Sequence, residues 1–125
     1  PVEETTPKEH LYVHMNGRQV YNFAVRVNTE IISELFERND IGIDDIKKIV
    51  PHQANIRIIQ AEAKRLSLPM EKFFVNIEEY ANTSAASIPI ALNELYESGG
   101  LERGDYLLFV GFGAGLSYGG NLLRW

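Results

Sequence analysis

Cysteine is absent from the 125 residues, which removes disulfides, thiolate metal sites and a cysteine nucleophile from this chain. Long apolar runs are absent too, since none nears the ~20 residues of a membrane span. The first seven residues hold neither a basic segment nor an apolar one, so no secretory signal is expected and a cytoplasmic setting is. An initiator Met is missing, which implies an N-terminus made by cleavage or by design. Basic residues are in deficit, 12 against 17 acidic for a net charge of −5. With no long Lys/Arg cluster, a nucleic-acid footprint is not expected. What is present, 45% hydrophobic residues, is close to the soluble average and excludes disordered and collagen-like classes. A chain of this length buries roughly two-thirds of its unfolded surface. Residues 1–9 read as a linker or cleaved terminus and residues 10–125 as a single domain.

Apolar periodicity divides the chain into eight segments. Residues 11–15 alternate as a strand, with Asn16-Gly17 as a turn. Phe23, Ala24, Val27, Ile31, Leu35 and Phe36 recur at three and four, predicting an amphipathic helix over 22–38, ended by residues 39–42. Asp44-Asp45 starts one short turn, and 47–51 reads as a buried strand. Ile56, Ile59, Ala63 and Leu66 form the stripe of a second helix, 54–66, closed by Ser67-Leu68-Pro69. Residues 73–77 read as the third strand and 84–97 as a third helix capped by Thr83 or Ser84. Pro89 breaks that helix unless its first turn begins later than residue 84. Gly99-Gly100 stops it, 105–110 is an apolar strand, 111–115 a glycine-dense turn and 116–125 a final strand. The expectation is an α/β fold, βαβαβαββ, with a mostly parallel mixed sheet, right-handed crossovers and a closing antiparallel hairpin.

In such sheets ligands bind beyond the carboxyl ends of the strands, where residues 15–17, 51–55, 80–84 and 111–115 gather the polar and glycine residues. His52 there suits a general base or a donor to a developing oxyanion; a capping histidine satisfied by backbone is the plainer alternative. Asn82 occupies the matching place after the third strand, where its amide can reach the same oxygen, or form an Asx-turn. The run 111–120 fails the dinucleotide fingerprint, because the third glycine is Leu116 or Tyr118 and no helix follows. Its backbone can instead approach a ligand closely, or simply make a tight hairpin. His10 and His14 on one strand would lie ~13 Å apart, too far to share a metal. The acidic pairs Asp44, Asp45 and Glu78, Glu79 lack ligand spacing, so no metal site is expected. Arg57, Lys64 and Arg65 lie near one face of the second helix, a dock for an anionic partner or ordinary solvated charge.

Pro51-His52-Gln53-Ala54-Asn55, then Asn82-Thr83-Ser84-Ala85-Ala86-Ser87, then Gly111-Phe112-Gly113-Ala114-Gly115 closely resemble the carboxy-terminal half of the β-ketoacyl-acyl-carrier-protein synthase III family, thiolase-fold condensing enzymes. The resemblance runs from about residue 11 to residue 125. It implies an acyltransferase of fatty-acid synthesis that condenses a short acyl-CoA with malonyl-carrier protein and releases CO2. By the resemblance, His52 and Asn82 belong to a Cys-His-Asn triad, and the backbone N–H near Ala114 helps form an oxyanion hole. By the same resemblance, Gly17, Tyr21, Ala54 and Asn55 are expected to line the pantetheine and CoA channel, and Arg57, Lys64 and Arg65 to receive the acidic acyl carrier protein. Coenzyme A enters as a thioester substrate, with no resident cofactor, no membrane and no nucleic acid; the full enzyme is expected to be a homodimer. Chemically the assignment fits, since decarboxylation leaves an enolate whose oxygen two N–H donors can hold, each worth about 2.7–4 kcal/mol.

Two residues depart from the family pattern. Ala81 stands where Gly usually precedes the asparagine, and Ala114 interrupts a glycine triplet; an alanine forced to positive φ is strained by roughly 1–2 kcal/mol. In the family that the chain resembles, the acyl-accepting thiolate lies in the amino-terminal half. The expectation is therefore a fragment, proteolytic, engineered or one chain of a split enzyme, inactive without that half. A non-catalytic carrier-protein or CoA-binding module is the alternative.

Overall fold

The computed structural model describes residue 7, residue 12 and residues 14–125. Four α-helices and three strands follow one another as α1 (Gly17–Asn39), β1 (Ile46–Pro51), α2 (Ile56–Leu66), α3 (Ile77–Tyr80), α4 (Ser87–Glu97), β2 (Tyr106–Gly113) and β3 (Ser117–Arg124), with short 3₁₀ turns at Met70–Lys72, Ser84–Ala86 and Ala114–Leu116. The sheet order is β1-β2-β3, with β1 parallel to β2 and β2 antiparallel to β3.

Alternation along the strands sorts the core onto two faces. Ile46, Ile49, Leu108 and Val110 pack with Ile31 and Ile32 of α1 and Ile59 and Ala63 of α2. Val50 and Leu107 pack with Ala91 and Leu95 of α4 on the opposite face. Helices thus cover both sides of β1 and β2, which is why β2 and the Ile49–Val50–Pro51 end of β1 are apolar, while β3 is largely exposed. Among the described residues no helix is long and apolar enough to cross a membrane.

The predicted mixed α/β sheet and its closing hairpin are present, and five details differ. Tyr12, His14 and Met15 are not in a strand, and Leu11 and Val13 lie outside the described residues, as do His10 and, Pro7 apart, the expected linker 1–9. Asn16 is not a hairpin turn but the N-cap of α1, its Oδ1 accepting the Gln19 N–H at 3.1 Å, so the first helix begins at Gly17. The third predicted strand reduces to a single bridge between Ile49 and Phe73. Pairing stops there because the Asn76 N–H donates to the Gln53 side chain at 3.2 Å, and the chain turns into α3. The last helix begins at Ser87, not residue 84, so Pro89 falls in its first turn, where no intrahelical donor is lost. The glycine run 111–113 is strand, paired through Gly111–Gly119 and Gly113–Ser117, leaving only Ala114–Leu116 to turn.

Candidate active site

The carboxyl end of β1 delivers His52, whose N–H donates to Val110 C=O at 2.8 Å, continuing the parallel ladder by one residue. Gln53, 1% exposed, then anchors the loop by donating from Nε2 to Pro51 C=O (2.9 Å) and Phe74 C=O (3.1 Å). Asn55 caps α2 by accepting the Arg57 N–H at 2.9 Å. The segment 51–55 is therefore rigid on both sides of the histidine. Gly111 lies opposite, where a Cβ would stand 3.4 Å from His52 Cβ, so glycine lets the two strand ends approach.

His52 Nδ1 and Ser87 Oγ are 2.6 Å apart. Ser87 Oγ also accepts the Gln53 N–H at 3.2 Å. The Phe112 ring meets the imidazole edge to face, with centroids 5.4 Å apart and planes at 68°. Burial lowers the His52 pKa below its ordinary 6.5, so the ring is neutral at neutral pH.

Asn82 follows α3 after Ala81, which is held at φ 57° and ψ −157°. The Asn82 Oδ1 accepts the Ser84 N–H at 3.0 Å, the Asx-turn that was one of two expectations for it. That bond identifies the oxygen of the carboxamide and leaves the NH2 as the free end. His52, Asn82, Ser84, Ser87, Phe112 and Ala114 all line one open cavity of about 620 Å³ at the edge of the sheet. An imidazole and a carboxamide NH2 from residues thirty positions apart thus share one pocket. Its backbone wall is Gly113, the last residue of β2, and Ala114, the first of the turn that follows, and Ala114 is not among the residues at positive φ.

The other sequence candidates lie elsewhere. None of Gly17, Tyr21, Ala54 and Asn55 lines this cavity. Tyr21 and Ala54 pack, together with Phe112, against Ala24, Val25 and Ile58. Gly17 opens α1, exposed and with open space about it. Arg57, Lys64 and Arg65 are exposed on α2. No cluster of His, Asp or Glu among the described residues has the placement of a metal site. Sequence reasoning missed Ser87 as a functional residue. The available signal was a hydroxyl in register with Ala91 and Leu95 on the buried stripe of α4.

The family model described as 3-oxoacyl-(acyl-carrier-protein) synthase III, C terminal, matches residues 36–125. The chain belongs to that family. A β-ketoacyl-(acyl-carrier-protein) synthase III of Clostridium perfringens (strain 13 / Type A) is 50% identical over 113 residues, 90% of this chain and 35% of the relative. One of Clostridioides difficile (strain 630) is 49% identical over 113 residues, 90% of this chain and 34% of the relative. Among solved structures, the synthase III of Aquifex aeolicus VF5 superposes with a TM-score of 0.89 at 45% identity, covering 94% of this chain and 38% of that one. The Thermus thermophilus synthase III gives 0.86 at 48% identity, covering 90% and 35%. The chain therefore has the thiolase-like fold of these synthase III structures, in its C-terminal portion. It spans about a third of the length of the relatives it matches, 35% for the Clostridium perfringens protein.

Proposed function

We propose that this chain is the carboxy-terminal part of a β-ketoacyl-acyl-carrier-protein synthase III that condenses an acyl-CoA with malonyl-carrier protein in fatty-acid synthesis. The observation that carries this reading is the shared cavity of His52 and Asn82. In the proposed reaction the bond between the malonyl carboxylate and the α-carbon breaks, CO2 leaves and the electron pair spreads onto the thioester oxygen. His52 and the Asn82 NH2 donate to that oxygen. The enolate carbon then attacks an acyl group held as a thioester on a cysteine of the remaining part of the enzyme. The new carbon–carbon bond forms as that thiolate leaves. The N–H near Ala114 is assigned to the oxyanion of this acyl transfer. Gly17, Tyr21, Ala54 and Asn55 are assigned to the approach of the pantetheine and CoA. Arg57, Lys64 and Arg65 are assigned to the carrier protein, with the full enzyme a cytoplasmic homodimer.

With no cysteine of its own, the chain alone is expected to be inactive. The test supplies the cysteine-bearing remainder of a synthase III and measures CO2 release from malonyl-carrier protein. Restored release that falls about 10²- to 10³-fold in each of His52→Ala and Asn82→Ala supports the enzyme. A folded complex that binds carrier protein but releases no CO2 leaves a non-catalytic carrier-protein or CoA-binding module instead.

A further inference from the structure

We infer that Ser87 is a positioning residue that locks His52 in the tautomer carrying its hydrogen on Nε2, which makes the ring a hydrogen-bond donor to the cavity. Ser87 borders the cavity but is only 2% exposed, so its hydroxyl is largely withdrawn from water. Its Oγ already accepts the Gln53 N–H at 3.2 Å, and its own hydrogen then needs an acceptor. A serine in a helix commonly donates back to a carbonyl three or four residues earlier. Ser87 Oγ makes no such bond among the described residues; the carbonyl three residues earlier, that of Ser84, accepts the Ser87 backbone N–H instead. The one acceptor within hydrogen-bonding reach among the described residues is His52 Nδ1, 2.6 Å away.

The two possible tautomers are therefore unequal. If Nδ1 carried the hydrogen, it would donate to Ser87 Oγ and strand the serine hydrogen in the interior. If Nε2 carries it, the serine donates to Nδ1 and every group is satisfied. The cost of an orphaned buried donor corresponds to a preference of about 5- to 30-fold for the second arrangement. Ser87 Oγ then accepts from Gln53 and donates to His52, and Gln53 is itself fixed by Pro51, Phe74 and Asn76. The serine is held by the same loop it orients. Nε2 makes no hydrogen bond among the described residues, which leaves it as the ring nitrogen available to a bound molecule. Asn82 is oriented by the same turn of chain, its oxygen engaged by Ser84 N–H and its NH2 left free. Both side chains are thereby set as donors before any substrate arrives.

The assignment deepens the proposed role of His52 and is read without substrate, so its failure stands apart from failure of the condensing reading. The experiment is long-range proton–nitrogen NMR of the ¹⁵N-labelled chain near neutral pH, with the His52 signals assigned by their loss in His52→Gln. The expected spectrum shows a protonated Nε2 and an unprotonated Nδ1; the reverse pattern overturns the proposal. In Ser87→Ala, whose fold is checked by its amide spectrum, the 5- to 30-fold preference is expected to collapse toward parity. Ser87→Thr, which restores a hydroxyl, is expected to recover it. A folded Ser87→Ala chain with an unchanged tautomer removes Ser87 from the role. If that variant does not fold, the wild-type spectrum decides, because the Nδ1–H form alone is incompatible with the serine as donor.

Discussion

Ala81 occupies φ 57° and ψ −157°, a region that glycine enters freely and a Cβ does not. The residue matters because it directs the chain from α3 into Asn82. Strain of this kind costs about 1–3 kcal/mol, and glycine offsets part of that by loosening the unfolded chain by about 0.4–1 kcal/mol. Ala81→Gly is accordingly expected to raise stability by about 1 kcal/mol in urea denaturation while leaving Asn82 in the cavity. A loss of stability would mean that the backbone relaxes at no cost to accept alanine. Glu62 presents a second local tension. It is 0% exposed, Oε1 accepts from Asn28 Nδ2 at 2.7 Å, and Glu62 Oε2 and Asn28 Oδ1 have no partner. Burial, partly offset by the Asn28 bond, pushes its pKa from 4.5 up to about 8. Between those values the folded chain binds a proton that the unfolded chain has released, so stability falls as pH rises from about 4.5 to about 8. The slope approaches 1.4 kcal/mol per pH unit. Glu62→Gln keeps the acceptor, adds a donor for Asn28 Oδ1 and removes the charge. It is expected to flatten the dependence of stability on pH across that window and to exceed the parent in stability at its upper end.

Between elements, β3 approaches α1 closely at Gly120. A Cβ on Gly120 would lie 2.5 Å from Ile31 Cγ2 and 2.7 Å from the Phe109 carbonyl oxygen. The first neighbour can turn aside, but the second is ladder backbone. Gly120→Ala should therefore destabilise by about 1–3 kcal/mol, and Ile31→Leu in the same chain, which removes the Cγ2 branch, should recover only part of the loss; full recovery would assign the clash to the side chain alone. How far such elements can be read from sequence depends on where their hydrogen bonds go. α1 and α2 carry long apolar stripes, and both were legible within a few residues. The hairpin of β2 and β3 was legible from its apolar run and glycines, but its extent was not, because Gly111 to Gly113 pair as strand while looking like turn. Residues 73–77 carry a strand's apolar composition, yet the Gln53 side chain takes the backbone donor that a neighbouring strand would have used. Asn16-Gly17 has the composition of a hairpin turn and serves as a helix cap. His52 and Asn82 were legible as candidates because polar residues gather at one edge of the sheet, although Asn82 follows a short helix and not the expected strand, and Ala114 was named only through the family resemblance. Ser87 was not, because its value comes from a partner thirty-five positions away that no local pattern reveals.

Across the whole molecule, charge is distributed against its average. The net charge is −5, yet Arg57, Lys64 and Arg65 stand together on the outer side of α2. They do so because Ile58, Ile59, Glu62 and Ala63 turn the opposite side into the core. The acidic majority does not neutralise them. The ion pairs among the described residues join Arg26 to Glu30, Arg38 to Glu34 and Lys47 to Asp105, and none involves α2. A positive patch left uncompensated on an acidic protein creates a local attractive field while the remainder repels anions, which favours one orientation of an acidic partner over others. Under the proposed function that partner is the acyl carrier protein. Each such rim charge contributes up to about 1 kcal/mol in dilute salt, so Arg57→Ala should weaken carrier-protein binding by about fivefold. The effect should shrink as added salt shortens the screening length from ~10 Å at 0.1 M to ~3 Å at 1 M. Glu102→Ala, a charge change on an exposed residue away from α2, provides the control. Titration of the carrier protein against the three chains at low and high salt reads both quantities. Equal affinity of Arg57→Ala and parent at low salt would remove α2 from the docking surface, while a loss that persists unchanged at high salt would assign Arg57 a contact by shape rather than by charge.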